Sequence, residues 1–244
     1  MKKGDKDMWK IFSSEKEKND ETGLPGSITP TDSINEFGQM PGVYKDGIMP
    51  ISIIGEIEGH MELGVGRKST KYEHLIPLIL QAEQDDAVKG VILILNTMGG
   101  DVEAGLAICE LISGISKPSV SLVLGGGHSI GVPLAVCTDY SFIAPTATMT
   151  IHPIRTNGLV IGVSQSFDYF RRMQDRIVNF VVNHSSISEE YFMHYMLNSD
   201  ELVNDIGSIL IGKKAVDIGL IDEVGSVSDA LTKLKELIRL NESL

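Results

Sequence analysis

The chain has 244 residues, 42% of them hydrophobic, with 25 glycines and a formal charge of −12 at neutral pH. Its length and apolar fraction allow one substantial core without requiring two domains. The negative balance opposes phosphate contacts, which argues against nucleic acid and against an anionic membrane surface as partners.

No run of apolar residues reaches bilayer length, and the N-terminus carries no apolar stretch of the signal-peptide kind, so no membrane span is expected and the expected location is cytoplasmic. Residues 1 to about 46 mix lysines, acids, Ser, Thr, Gly and Pro and cannot bury enough surface to fold alone. They read as a disordered tail in which Trp9, Ile11 and Phe12 are apolar exceptions, and residues 47–244 read as one α/β domain.

Beyond the tail, strand-like and helical patterns alternate. Ile51–Ile54 and Val91–Leu95 are short aliphatic runs separated by a helical pattern over Tyr72–Gln84 that must accommodate Pro77. A helix over Val102–Ile112 follows Gly99-Gly100, and Ser119–Leu124 reads as a buried strand. Three glycines then turn the chain into a short apolar helix over Ile130–Cys137. Strands follow near Tyr140–Ile143 and Met149–Ile151. Phe167, Phe170, Ile177, Val178 and Val181 fall at helical spacing within Ser164–Asn183, and Val227–Leu240 carries Leu231, Leu234, Leu237 and Ile238 on one face. Alternating strands and helices predict a parallel sheet with right-handed crossovers. Cys109 and Cys137 lie in apolar helical contexts and form neither a disulfide framework nor a metal pattern. No ligand spacing or phosphate loop calls for a metal or an organic cofactor.

Three segments carry the chemistry. A tetrahedral oxyanion needs preorganised N–H donors, and glycine lets the backbone approach it closely, so Gly99, Gly100 and the amide of Ile130 are candidate donors. A serine hydroxyl is a weak nucleophile until a base takes its proton, and imidazole titrates near neutrality, which pairs Ser129 with His152. Ser129 falls at the strand-to-helix junction, at or near the helix N-cap, where the helix dipole favours negative charge. His128 is the rival base.

The stretch Leu93–Ile108, with its Gly99-Gly100 pair, resembles the strand, glycines and helix of the Clp protease proteolytic subunits. Gly127-His128-Ser129-Ile130-Gly131 resembles their nucleophile segment, Met149-Thr150-Ile151-His152-Pro153 their histidine segment, and Ala215–Val224 their closing signature. The resemblance runs in order from about Ile51 to Val224. It implies a crotonase/Clp-protease-like ββα superhelix, a Ser-His-Asp triad, peptides or unfolded proteins as substrate, and a homo-oligomeric ring, with the Ser164–Asn183 helix interlocking two rings.

Counting back without gaps from Gly219-Leu220-Ile221-Asp222 puts the family's aspartate on Gly207, which has no carboxyl. A two-residue insertion moves it to Asp205, with Asp200 as the fallback. The chain departs from the family in the apparent insertion Gly64–Tyr72 and in Gly127-His128, where small residues are usual. An ATPase unfoldase partner therefore stays an open question. Two other function classes stand beside the serine peptidase. One is a crotonase-like acyl-CoA enzyme, for which Ser129 and His152 would be superfluous, and the other is a catalytically inactive assembly or binding protein.

Overall fold

The computed structural model describes residues 45–64, 66–155, 162–200 and 206–243. Most of the expected tail, including Trp9, Ile11 and Phe12, lies outside the described residues, and Lys45–Gly47 at its boundary form a 3-10 turn. That turn is tied down by Lys89 N–H donating to Gly47 O (2.7 Å) and by an ion pair between Asp46 and Lys235 (2.8 Å).

The principal strands are β1 (Ile48–Glu58), β2 (Ser69–Lys71), β3 (Gly90–Gly100), β4 (Ser119–Gly127), β5 (Tyr140–Ile143) and, near the C-terminus, β8 (Glu223–Val224). They pair in the order β2-β1-β3-β4-β5-β8, all parallel. Parallel neighbours need crossovers, which α1 (Tyr72–Gln84), α2 (Val102–Ser113) and α3 (Gly131–Val136) supply. Pro77 is tolerated because it lies on the exposed side of α1, while Leu75, Ile79 and Ala82 face the core.

Alternation along β3 fills two layers. Val91, Leu93 and Leu95 enter the larger core with the crossover helices. Ile92 joins Ile48, Val120, Leu122 and Phe142 against Ala230, Leu234 and Ile238 of the C-terminal helix α7 (Val227–Glu242). Both sheet faces are therefore covered, which explains why the strands read as continuous aliphatic runs rather than alternating ones. Each such side chain contributes roughly 1.5–3 kcal/mol when fully buried.

Two elements depart from a purely parallel arrangement. β6 (Thr148–Ile151) leaves the main sheet, touching β4 only at Gly126↔Thr148, and pairs antiparallel with β7 (Ser208–Ile211). The segment expected as an insertion between Gly64 and Tyr72 contains β2, which adds an edge to β1 in the register Glu56↔Ser69 through Glu58↔Lys71. Thr70 closes that edge: its Oγ1 donates to Ile54 O (3.0 Å) and accepts from Ile54 N–H (2.9 Å).

The helical stripe at Ser164–Asn183 is α4 (Val163–Asn183), followed by α5 (Glu189–Met196) and the short α6 (Lys213–Asp217). In α4, Met173, Val178, Phe180 and Val181 are buried, whereas Val163, Phe167 and Tyr169 in its first turns are exposed. Cys109 and Cys137 are both buried and unbridged, and burial together with the adjacent Cys137 raises the Cys109 thiol. Among the described residues, no helix is long and apolar enough to cross a membrane.

Candidate active site

Where β3 and β4 end, their register breaks: Leu95↔Val123 is followed by Thr97↔Gly127, so three residues of β4 stand opposite one of β3. Asn96 fills that bulge, its Oδ1 accepting from Gly126 N–H (3.0 Å). The bend carries β4 out of the main sheet and alongside β6, a usual effect of bulges beside functional sites.

The chain after β4 is then fixed on both sides. His128 N–H donates to Thr97 O (3.1 Å) and Ser129 N–H donates to Thr150 O (2.9 Å). Ser129 has φ 58°, a left-handed conformation that costs a serine about 1–3 kcal/mol unless its surroundings fix it. It stands one residue before the α3 cap, which is Ile130, rather than at the cap itself. Gly131 N–H donates to His128 O and Val132 N–H to Ser129 O, which leaves the Ile130 amide outside the turn's own hydrogen bonds.

Gly99 lies directly against the serine. A Cβ added there would sit 2.7 Å from Ser129 Cβ and 3.3 Å from Ser129 Oγ, at φ 92°, so no other residue fits. The Gly99 N–H is already used, donating to the buried Thr97 Oγ1 (3.0 Å), which itself donates to Gly55 O (2.6 Å). Asp101 N–H donates to Ile57 O in β1 (2.9 Å), and Asp101 Oδ1 accepts from Ala104 N–H (2.8 Å) to cap α2. Gly99 and Gly100 have φ 92° and 153°, so the backbone leaves the regular extended form here, and Gly100 lies against Ile57 of β1, where an added Cβ would come within 2.2 Å of Ile57 O.

His152 directly follows β6. Met149 and Ile151 are buried, so Thr148, Thr150 and His152 share the outer face of that strand. His152 Nδ1 lies 2.7 Å from Pro153 O. A carbonyl only accepts, so Nδ1 carries the proton and Nε2 is the basic nitrogen. His128 stands on the same outer face, its Nδ1 2.8 Å from Thr150 Oγ1 and its Nε2 3.4 Å from Thr148 Oγ1. Burial, and secondarily the charge of His152, push the His128 imidazole below its ordinary value.

The acid positions separate clearly. Asp205 lies outside the described residues. Asp200 is exposed, its N–H donating to Asn198 Oδ1 (3.1 Å) in a local turn. Continuing the antiparallel register beyond Ile151↔Ser208 sets Gly207 opposite His152. There φ is 138°, and a Cβ would come within 2.3 Å of Ile151 O and 2.9 Å of His152 Cβ. The closing Asp222 is structural: its Oδ2 accepts from Ser141 N–H (2.8 Å) and Ser141 Oγ (2.7 Å), locking β5 to the segment before β8. Sequence reading passed over Asn96, Thr97 and Thr150. Polar residues ending an otherwise aliphatic strand were the available signal at Asn96 and Thr97.

Among the described residues no cluster of His, Cys, Asp and Glu could hold a metal ion. The sequence model of the Clp protease family matches residues 51–228. The chain is 55% identical over 218 residues to the translocation-enhancing protein TepA of Halalkalibacterium halodurans, covering 88% of this chain and 84% of that one. It is 28% identical over 147 residues to an ATP-dependent Clp protease proteolytic subunit of Leuconostoc citreum, covering 59% and 66%. Against ATP-dependent Clp protease proteolytic subunit 1 of Chlamydia trachomatis serovar D the identity is 26% over 140 residues, covering 55% and 69%.

Proposed function

This chain belongs to the Clp protease family, and from that premise we propose that it is a serine-type endopeptidase cleaving peptides or unfolded proteins. The observation that carries the reading is the fixed, left-handed turn at Ser129, packed on Gly99 and hydrogen-bonded to the strand that ends at His152. Strained backbone of this kind is kept where it aims a nucleophile.

In this mechanism the Ser129 hydroxyl proton passes to His152 Nε2 as Oγ attacks the peptide carbonyl carbon. The developing oxyanion is met by the amides of Gly100 and Ile130, with Gly99 supplying the close approach rather than a donor. Because α3 has six residues, the individual amides rather than a long helix dipole do this work. His152 returns the proton to the leaving amine, and water, deprotonated by the same nitrogen, releases the acyl group and restores Ser129. The Pro153 carbonyl holds the tautomer this requires, and Asp205 is assigned to stabilise the imidazolium.

The exposed apolar start of α4, Val163, Phe167 and Tyr169, supports a homo-oligomeric ring in which that helix meets another copy. The likeness to a translocation-enhancing protein supports a role in protein export or quality control, with a cytoplasmic location. Intact-mass analysis after incubation with a fluorophosphonate tests the chemistry. One adduct is expected on the protein and none on Ser129→Ala or His152→Ala. A folded, assembled protein that gives no adduct refutes the peptidase and favours an inactive assembly protein.

A further inference from the structure

His128 occupies a place the proposed mechanism does not use. The β4–β6 pairing at Gly126↔Thr148, extended by Ser129 N–H donating to Thr150 O, sets His128 beside Thr150 on one face of the two-strand pair. Gly127 is on the opposite face, where an added Cβ would contact Val123 and Met149 in the core. The face that carries His128, Thr148 and Thr150 also carries His152, one alternation farther along β6, about 7 Å away. On the peptidase reading it is the face on which His152 would meet a substrate.

The ring folds back over Gly126, where an added Cβ would lie 2.6 Å from His128 Nε2, so that glycine is the floor on which the imidazole rests. Thr150 Oγ1, at 2.8 Å, occupies Nδ1 and fixes the ring plane. Thr148 Oγ1 is 3.4 Å from Nε2, too long to satisfy it. The half-buried imidazole thus presents one under-used hydrogen-bonding nitrogen, and two threonine hydroxyls flank it.

We propose that His128, with Thr148 and Thr150, forms a polar subsite of the catalytic cleft that selects a peptide side chain able to hydrogen-bond next to the scissile bond, over an apolar side chain of the same size. The selection follows from desolvation. An apolar side chain covering Nε2 would strip it of water and offer nothing in return, whereas a hydroxyl or carboxamide replaces the lost bond. With the ring neutral, recognition is by hydrogen bonding and not by charge.

This inference rests on the peptidase reading, and its test separates the two. Internally quenched peptides differing in one residue on either side of the cleaved bond, in the matched pairs Thr/Val, Asn/Leu and Gln/Met, are cleaved by the full-length protein while a simple fluorophosphonate reports Ser129 reactivity in parallel. The expected result at one position is a kcat/KM about fivefold to tenfold higher for the polar member, the worth of one net hydrogen bond. The ratio should vanish in His128→Ala and return in His128→Gln. Because it is taken within one protein, it is insensitive to how much of a variant folds.

Equal or apolar-favouring ratios at both positions overturn the subsite, as does a polar preference that survives His128→Ala. The same holds if Ser129 is labelled but no peptide is cleaved, and in each of these cases the reactive serine stands. Absence of labelling overturns the peptidase reading and the subsite together.

Discussion

Thr97→Val is the sharpest test of how the glycine pair is held. Thr97 is 2% exposed, and its hydroxyl makes two hydrogen bonds, donating to Gly55 O at 2.6 Å and accepting from Gly99 N–H at 3.0 Å. Valine keeps the shape, so no cavity arises. It removes both bonds and leaves the Gly99 N–H and the Gly55 carbonyl without that partner. Each buried group that loses its partner costs about 1–3 kcal/mol, so the two together cost roughly 2–6 kcal/mol. At about 2–4 °C per kcal/mol for a domain of this size, that lowers Tm by at least about 4 °C.

The functional effect should exceed the structural one. Releasing the Gly99 N–H frees the Met98–Gly99 peptide and with it the φ of Gly99 that orients the next peptide, the one carrying the Gly100 N–H, and losing a preorganised oxyanion donor costs about 10²–10³ in kcat. Partial release is expected to lower kcat at least about tenfold with KM nearly unchanged, because the interaction forms only in the transition state. Thermal unfolding and steady-state peptide hydrolysis measure the two effects, and Thr97→Ser, which keeps the hydroxyl, should retain kcat. A Thr97→Val protein with unchanged Tm and kcat within about twofold would refute the idea that this hydroxyl sets the Gly100 donor.

Ser129 at φ 58° should make Ser129→Gly more stable than Ser129→Ala by about 1 kcal/mol, both being inactive, since only glycine adopts that conformation without strain; equal denaturation midpoints would count against strain at the turn. Gly207→Asp, which places a carboxyl at the gapless position of the family acid, should restore nothing and should destabilise by more than about 2 kcal/mol. Its φ is 138° and its Cβ would collide with Ile151 O, so an active, stable variant would contradict the geometry opposite His152. The lowered His128 value means that the unfolded chain binds its proton more readily than the native one. Stability from this group is present above about pH 6.5 and falls as pH drops through the lower native value. Denaturation midpoints measured against pH should lose that part of the decline in His128→Gln.

The elements legible in the sequence were those whose environment is uniform along their length. Tyr72–Gln84 and Tyr140–Ile143 have the bounds that periodicity predicts, and α2, α4 and α7 differ from expectation by a residue or two at their ends. The strand before the nucleophile was read to Leu124 but continues to Gly127. The glycines that signal a turn to a sequence reader here extend the strand through a bulge. β7 and α5 were missed for a different reason. Ser208–Ile211 is a four-residue edge with Ile209 and Ile211 exposed, so its pattern carries no burial signal, and its pairing with β6 is set by a contact about 60 residues distant in sequence. The short β2 likewise exists because Thr70 and Ile54 of β1 complete one another's hydrogen bonds, a tertiary cause that the local pattern does not show.

The parts of the candidate site that can be read from sequence are those in which residue type itself is the chemistry: a serine after a glycine turn, a histidine ending a strand, a glycine pair where backbone must come close. What positions them is carried by ordinary residues. The Gly99 N–H is consumed by a threonine two residues earlier, and no pattern of glycines announces which of the pair keeps its N–H free of such a bond. The acid is least legible because the gapless position of the family aspartate falls on Gly207, which faces His152 with a backbone that only glycine adopts, and Asp205 lies outside the described residues. The histidine's tautomer does not wait on that acid, since the Pro153 carbonyl already specifies it. On the peptidase reading a carboxylate near His152 would stabilise the imidazolium charge, and that task tolerates a looser position than orienting a ring does, because Coulomb attraction falls with distance far more gently than a hydrogen bond does with angle.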